Sequence, residues 1–194
     1  AIGSRPIDIH LDALKKMGAS IKIKNGYIIA SAKKNLKGCT IKFPKISVGA
    51  TENILIAACF AKGETKLRNC ALEPEIDDLI NFLKKLGCKI SRTGKRGINV
   101  LGVEKLKTIV HKVIFDRIEA GTYIIAAALT KGRLKIKNID PKIISTEINL
   151  LHKMNVNIIK KKNYIIASRT KKLKSANIIT EPYPGFPTDL QAQI

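Results

Sequence analysis

Tryptophan is absent from this 194-residue chain, and aromatic residues make up only 5% of it. Unpaired bases stack on aromatic faces, so a platform for single-stranded nucleic acid has little to be built from. Arginine is scarce as well: of 36 basic residues, seven are arginine, at positions 5, 68, 92, 96, 117, 133 and 169. The four cysteines, Cys39, Cys59, Cys70 and Cys88, form no C-x-x-C pair and have no matching histidine spacing. That pattern excludes the ordinary zinc motifs and a disulfide framework, so neither a metal nor a cofactor is expected. Unpaired thiols point to a reducing, cytoplasmic compartment. No apolar run approaches the roughly 18 residues that cross a bilayer; the longest, Ile54 to Ala61, stops at Lys62. No signal-type leader opens the sequence, although Ala1 is not an initiator methionine.

Acidic residues number 15, leaving a formal net charge of +21. Clustered cations neutralise phosphates and would invite a nucleic-acid partner. Here the lysines are spread over helix and strand faces, as in the Lys-, Ile- and Asn-heavy proteins of AT-rich genomes. No nucleic-acid and no membrane partner is therefore expected, and the summed field favours anionic metabolites instead. A basic RNA-binding repeat module is the alternative from another class.

What the chain does have is a repeat. The stretch Ser47 to Asn69 returns from Arg117 to Asn138, with Gly63 and Gly132 69 residues apart, as are Asn69 and Asn138. Three versions of one helix ending, Leu14 to Gly18, Leu83 to Gly87 and Leu151 to Asn155, follow at nearly the same spacing. The chain reads as one domain of three repeats, about 1–69, 70–138 and 139–194, the third incomplete. At 45% hydrophobic content it can bury a substantial core.

Pattern and punctuation predict the elements. Helices are expected over His10 to Met17, Gly49 to Ala61 and Ile76 to Leu86, and from Arg117 onward. Strands are expected over 20–24 and 27–32, joined by the hairpin dipeptide Asn25-Gly26, and over 40–43, 89–91, 97–101, 109–115, 157–160, 164–167 and 176–180. The helix from Gly49 is apolar nearly all round, whereas the helix from Ile76 carries a stripe. An all-apolar helix must be covered on every side. The expected fold is thus α/β, with interior helices and peripheral sheets, the reverse of the usual barrel.

Polar leads precede the apolar helices at equivalent repeat positions: Lys45 to Thr51, Asp116 to Thr122, and Phe186 to Leu190. Helix starts bind anions through unpaired N–H groups and the positive dipole end, and Lys45 adds a cation beside Ser47, Val48 and Gly49. An ordinary cap explains Ser47 equally well. Asp116 and Glu119 next to Arg117 read as an internal ion pair, and Asp189 as an early-helix acid.

Five blocks make the comparison more specific: Arg5 to His10 (RPIDIH), Lys45 to Thr51 (KISVGAT), Glu73-Pro74-Glu75, Asp116 to Thr122 (DRIEAGT) and Phe186 to Gln193 (FPTDLQAQ). In order and over essentially the whole chain, they resemble the enolpyruvyl transferase family, in particular its branch that begins peptidoglycan synthesis on UDP-N-acetylglucosamine. The resemblance implies an inside-out α/β barrel of three repeated units. It also implies transfer of the enolpyruvyl group of phosphoenolpyruvate to the 3-hydroxyl of UDP-N-acetylglucosamine, releasing phosphate. By the same resemblance, Arg5, Pro6, Ile7, Asp8 and Ile9 match one uridine-nucleotide segment, and Lys45, Ile46, Ser47 and Val48 a second. Asp189 matches the carboxylate placed at the sugar hydroxyl as base. The shikimate-pathway branch, whose Ser-rich substrate signature is not found here, is the runner-up. The family's reactive cysteine precedes the segment that begins at Ala1, and none of the four cysteines replaces it. The 194 residues alone are therefore expected not to turn over, and the missing remainder of the enzyme is an expected partner.

Overall fold

Asp8–Lys16 forms the first helix, α1, burying Ile9 and Ala13. It begins two residues earlier than expected, with Asp8 favourably placed against the dipole of its first turn. Gly18, at φ +99°, takes the left-handed geometry that stops it. The computed structural model describes residues 7–194, so Arg5 and Pro6 lie outside the described residues. Residue contacts divide the chain into two units, Ala1–Lys112 and Val113–Ile194. The division falls inside the second expected repeat, 70–138.

In the first unit, β1 (Ser20–Lys24) and β2 (Tyr27–Ser31) pair antiparallel across Asn25 and Gly26. Both turn residues have positive φ, 51° and 78°, as a two-residue hairpin of this hand requires. Then come β3 (Thr40–Lys42), α2 (Val48–Ala58), β4 (Glu64–Arg68), α3 (Pro74–Lys85), β5 (Lys89–Thr93) and β6 (Gly97–Leu101). The sheet order is β3-β4-β6-β5, with β3 parallel to β4 and the other pairs antiparallel. A parallel pair needs a crossover, and α2 supplies it. Along β4 the buried residues are Thr65 and Leu67, and opposite them stand Val100 and Ile98. This alternation turns one sheet face to α2 and α3 and the other, rich in lysine and arginine, to solvent.

The second unit holds α4 (Arg117–Leu129), β7 (Arg133–Lys137), α5 (Ser145–Lys153), β8 (Asn157–Lys161), β9 (Tyr164–Ser168) and a 3₁₀ turn, Thr188–Leu190. Its sheet runs β7-β9-β8, all antiparallel. The order strand, helix, hairpin, with the first strand pairing to the hairpin's second, is the same in β4-α3-β5-β6 and β7-α5-β8-β9. The starts of α2 and α4 are 69 residues apart, as are those of β4 and β7. Asn69 and Asn138, the landmarks ending the two strands, sit at φ 61° and 60°. Asparagine is among the few residues that take this left-handed region readily.

Each unit has its own core. Ile54, Leu55, Leu67, Ile76 and Ile98 are fully buried in the first, and Ile124, Ile144, Ile148 and Ile165 in the second. Full burial of a side chain of this size contributes about 1.5–3 kcal/mol. In this chain α2 and α4 each leave one strip open, with Ile56 and Phe60 on or just past α2 and Tyr123 and Leu129 on α4 about half exposed or more. Two expected strands are absent. Residues 109–115 form an extended connector across the unit boundary, with Val110 95% and Val113 72% exposed. A β-rich composition needs a ladder partner to become a strand, and this segment has none among the described residues. Residues 176–180 supply only an isolated bridge, Thr180 to Phe186. The helix expected at the third lead is one 3₁₀ turn.

Candidate functional site

In the first unit, three helix starts meet. Ser47 Oγ accepts from the Ala50 N–H at 3.3 Å, closing the first turn of α2, which carries no acidic residue to compete with an anion. Gly49 faces α1: the ring of His10 lies 3.5 Å from where a Cβ on Gly49 would stand, an ordinary van der Waals contact. Asn53 Nδ2 is 3.1 Å from His10 Nδ1, a second tie between the two helices. Thr51, fully buried, donates through Oγ1 to the Ser47 carbonyl at 2.8 Å and accepts from the Ala71 N–H at 3.1 Å. One hydroxyl therefore fixes the α2 start to the connection that leads into α3.

That connection ends at Glu73, and Glu75 follows in the first turn of α3. Glu73 is 5% exposed. Burial, then the charges of Glu75 and Glu73, raise the Glu52 carboxyl above its usual range. Glu73 and Glu75 thus lie close enough to Glu52, beside the α2 start, for their charge to reach it. The Glu-Pro-Glu block was visible in the sequence without a role; its proximity to Glu52 was not.

The structure brings together parts of both nucleotide segments matched by resemblance. Ile9 is buried in the core against which Ile46 and Val48 pack. Ile7 and Asp8 are exposed at the α1 start, and Lys45 is exposed just before the α2 start. Among the described residues the resulting edge offers the exposed cation of Lys45, the N-terminal turns of α1 and α2, and the carboxylates near Glu52. Such a surface can bind an anionic group while hydrogen-bonding the hydroxyls attached to it.

Asp189 belongs to the second unit. The fully buried Leu190 is seated against Gly121 of α4, where an added Cβ would come 2.5 Å from Leu190 Cδ1. Gln193 Nε2 donates to Thr122 Oγ1 at 3.3 Å, and Thr146 Oγ1 donates to the Pro184 carbonyl at 2.6 Å. These contacts pin both ends of the proline-rich loop and leave Asp189 exposed on the anchored turn. An exposed carboxylate on a fixed turn can take a proton from a bound hydroxyl.

The expected ion pair around Arg117 is corrected. Asp116 caps α4, accepting from the N–H groups of Ile118 at 2.7 Å and Glu119 at 3.1 Å. Arg117 turns away to Glu147, with Nη1 3.7 Å from Oε1, and its guanidinium lies 5.7 Å from the Tyr183 ring centroid. Glu147 is 2% exposed, and burial raises its carboxyl against the pull of its own backbone hydrogen bond and of Arg117. Nothing in local sequence pairs residues thirty apart. Among the described residues there is no group of three ligand side chains that could hold a metal.

Comparison with known proteins gives one family over the full chain. The model for EPSP synthase (3-phosphoshikimate 1-carboxyvinyltransferase) matches residues 1–194. The UDP-N-acetylglucosamine 1-carboxyvinyltransferase of Pelagibacter ubique (strain HTCC1062) is 62% identical over 194 residues, 100% of this chain and 46% of that protein. The protein of the same name from Endomicrobium trichonymphae is 53% identical over 193 residues, again 100% of this chain and 46% of its own length. The chain thus spans about half the length of the curated relatives it matches. Among solved structures, the enolpyruvyl transferase NikO from Streptomyces tendae superposes with a TM-score of 0.83 at 25% identity, covering 98% of this chain and 48% of that one. An EPSP synthase from Acinetobacter baumannii shares the fold, with a TM-score of 0.63 at 23% identity over 86% of this chain and 40% of its own.

Proposed function

Since this chain belongs to the EPSP synthase family of carboxyvinyltransferases, we propose that it forms part of an enzyme that moves the enolpyruvyl group of phosphoenolpyruvate to the 3-hydroxyl of UDP-N-acetylglucosamine, with release of phosphate. The product would enter peptidoglycan synthesis, in the cytoplasm. The observation that carries this reading is the seating of the α1 start on the α2 start, His10 against Gly49, which supports a single nucleotide edge built from Ile7 to Ile9 and Lys45 to Val48. Arg5 and Pro6 complete the first segment in the proposal.

Both substrates are anions, so cationic and helix-start groups suit them. Lys45 and the α2 amides face the nucleotide in this reading. Asp189 takes the proton of the 3-hydroxyl as its oxygen attacks the enolpyruvyl carbon, and the bond to phosphate breaks. The barrel is proposed as inside-out, built from three repeated units of about 1–69, 70–138 and 139–194, with α2 and α4 as interior helices. The topology shared by β4-α3-β5-β6 and β7-α5-β8-β9 supports the repeat.

The test is phosphate release by the whole protein that carries this chain, supplied with phosphoenolpyruvate and either UDP-N-acetylglucosamine or 3-phosphoshikimate. Turnover is expected with the nucleotide sugar. Asp189→Ala should lower kcat by about 10²–10⁴-fold, the usual worth of a positioned base, with an unchanged circular dichroism spectrum. Normal turnover by that variant would remove Asp189 as the base, and turnover with 3-phosphoshikimate alone would remove the substrate assignment.

A further inference from the structure

On the solvent face of the four-stranded sheet, where β4 ends and the β5–β6 turn begins, lies a cleft of about 630 Å³. Lys42, Arg68, Asn69, Thr93, Lys95 and Arg96 line it, four cations with no carboxylate among the lining residues. Its size is that of a small-molecule site. A second basic cleft, beside the β8–β9 turn, differs in that Asp140 sits among its lysines.

Two of the cations are held in place by neutral acceptors. Arg68 Nη1 donates to the Leu67 carbonyl at 2.8 Å, Asn99 Oδ1 at 3.0 Å and Thr93 Oγ1 at 3.4 Å. Gly97 makes the space: a Cβ there would come 3.3 Å from Arg68 Nη1 and 2.4 Å from the Thr93 carbonyl oxygen. Arg96 Nη1 donates to the Cys70 carbonyl at 3.1 Å. The neighbouring Arg92 shows what a structural arginine does here, since its Nε and Nη2 reach Asp77 at 2.9 and 2.6 Å. Glu64 is the acid nearest along the chain of hydrogen bonds, one removed from Arg68: it accepts from Asn99 Nδ2 at 3.2 Å and pairs with Lys66 at 3.3 Å. Burial pushes the Cys70 thiol up to about 11, while Arg92, Arg68 and Arg96 all pull it down, as expected of guanidiniums gathered round one point.

We propose that this cleft binds a phosphate-bearing small anion, with Arg68 and Arg96 as fixed forks and Lys42 and Lys95 as mobile counter-charges. Arginine held by neutral partners keeps its charge and a preset geometry for oxyanions, which is why phosphate sites favour it. A nucleic acid is the less suitable occupant, because no aromatic side chain lines the cleft for a base to stack on. This proposal stands independently of the transferase reading, since it uses none of the residues assigned there.

The probe is inorganic pyrophosphate, titrated calorimetrically into the protein at 0.15 M salt. Arg68→Gln/Arg96→Gln should weaken binding at least tenfold. Lys42→Gln/Lys95→Gln, whose replaced side chains make no hydrogen bond or ion pair among the described residues, should weaken it at least fivefold. Lys161→Gln/Lys162→Gln removes the same charge from the other cleft and should change affinity less than twofold. Equal losses in all three variants would mean that only net charge is felt, and would overturn the site. So would the absence of pyrophosphate binding, unchanged affinity in the lysine pair, or tighter, steeply salt-dependent binding of an oligouridylate that Arg68→Gln/Arg96→Gln abolishes.

Discussion

Gly121→Ala sets two effects of similar size against each other. Replacing a glycine inside a helix by alanine ordinarily stabilises by about 1 kcal/mol, through the backbone entropy of the unfolded chain and the helix propensity of alanine. Here the new methyl would lie 2.5 Å from Leu190 Cδ1, 3.2 Å from Cδ2 and 3.5 Å from Cγ. Carbon atoms at rest stay about 3.5–4.0 Å apart, so Leu190, fully buried, must rotate or the 3₁₀ turn must lift. Overpacking of this kind costs about 1–3 kcal/mol. The balance is a net destabilisation of about 0–2 kcal/mol, with the turn that carries Asp189 displaced. A double-mutant cycle isolates the contact. Leu190→Ala alone should cost about 2–5 kcal/mol, and in that background Gly121→Ala should recover the propensity gain of about 0.5–1 kcal/mol. The coupling should therefore be about 0.5–3 kcal/mol, read by urea unfolding followed with far-UV circular dichroism. If Gly121→Ala stabilises the wild-type chain by its full helix gain, with no coupling to Leu190, the seating of the turn on α4 is wrong. The positional argument for Asp189 then goes with it.

Thr51→Val removes the hydroxyl between the Ser47 carbonyl and the Ala71 N–H and leaves that buried amide without its acceptor, so unfolding should be easier by about 1–3 kcal/mol. Replacement by serine, which keeps the oxygen, should recover most of the loss. Glu147→Gln tests whether desolvation outweighs Arg117. Because burial raises the Glu147 carboxyl in the folded chain, the folded state holds its proton longer than the unfolded one. Wild-type stability from this group is therefore full below the ordinary value of 4.5 and falls as pH rises through the raised one. The glutamine variant should gain on wild type as pH rises above that value and match it below, in paired thermal melts; a flat or reversed difference would refute the assignment. Among the thiols, Cys59, Cys70 and Cys88 are buried, while Cys39 is partly accessible. Iodoacetamide at pH 8 should therefore label at most one cysteine per native chain, Cys39, and all four only after unfolding, by intact mass.

Much of this architecture could be read without coordinates because it is written in neighbours. The Asn25-Gly26 hairpin and the apolar stripe expected from Ile76, which the structure starts two residues earlier at Pro74, each depend on residues within a turn or two of one another. The 69-residue repeat is a relation of the sequence to itself, so the shared β4-α3-β5-β6 and β7-α5-β8-β9 topologies follow it. Within the candidate site, the block around Lys45 and Ser47 announced a helix start, and Asp189 was marked by resemblance. Tertiary structure alone decided the rest. Residues 109–115 had the composition of a strand and became a connector, since a ladder needs a second edge that no local pattern supplies. Arg117 passed over Asp116 and Glu119 for Glu147, because an unsatisfied amide row at the start of α4 had first claim on Asp116. Thr51 found Ala71, Arg68 found Asn99 and Gly121 admitted Leu190 only when distant segments met, and burial then made each of those contacts costly to lose.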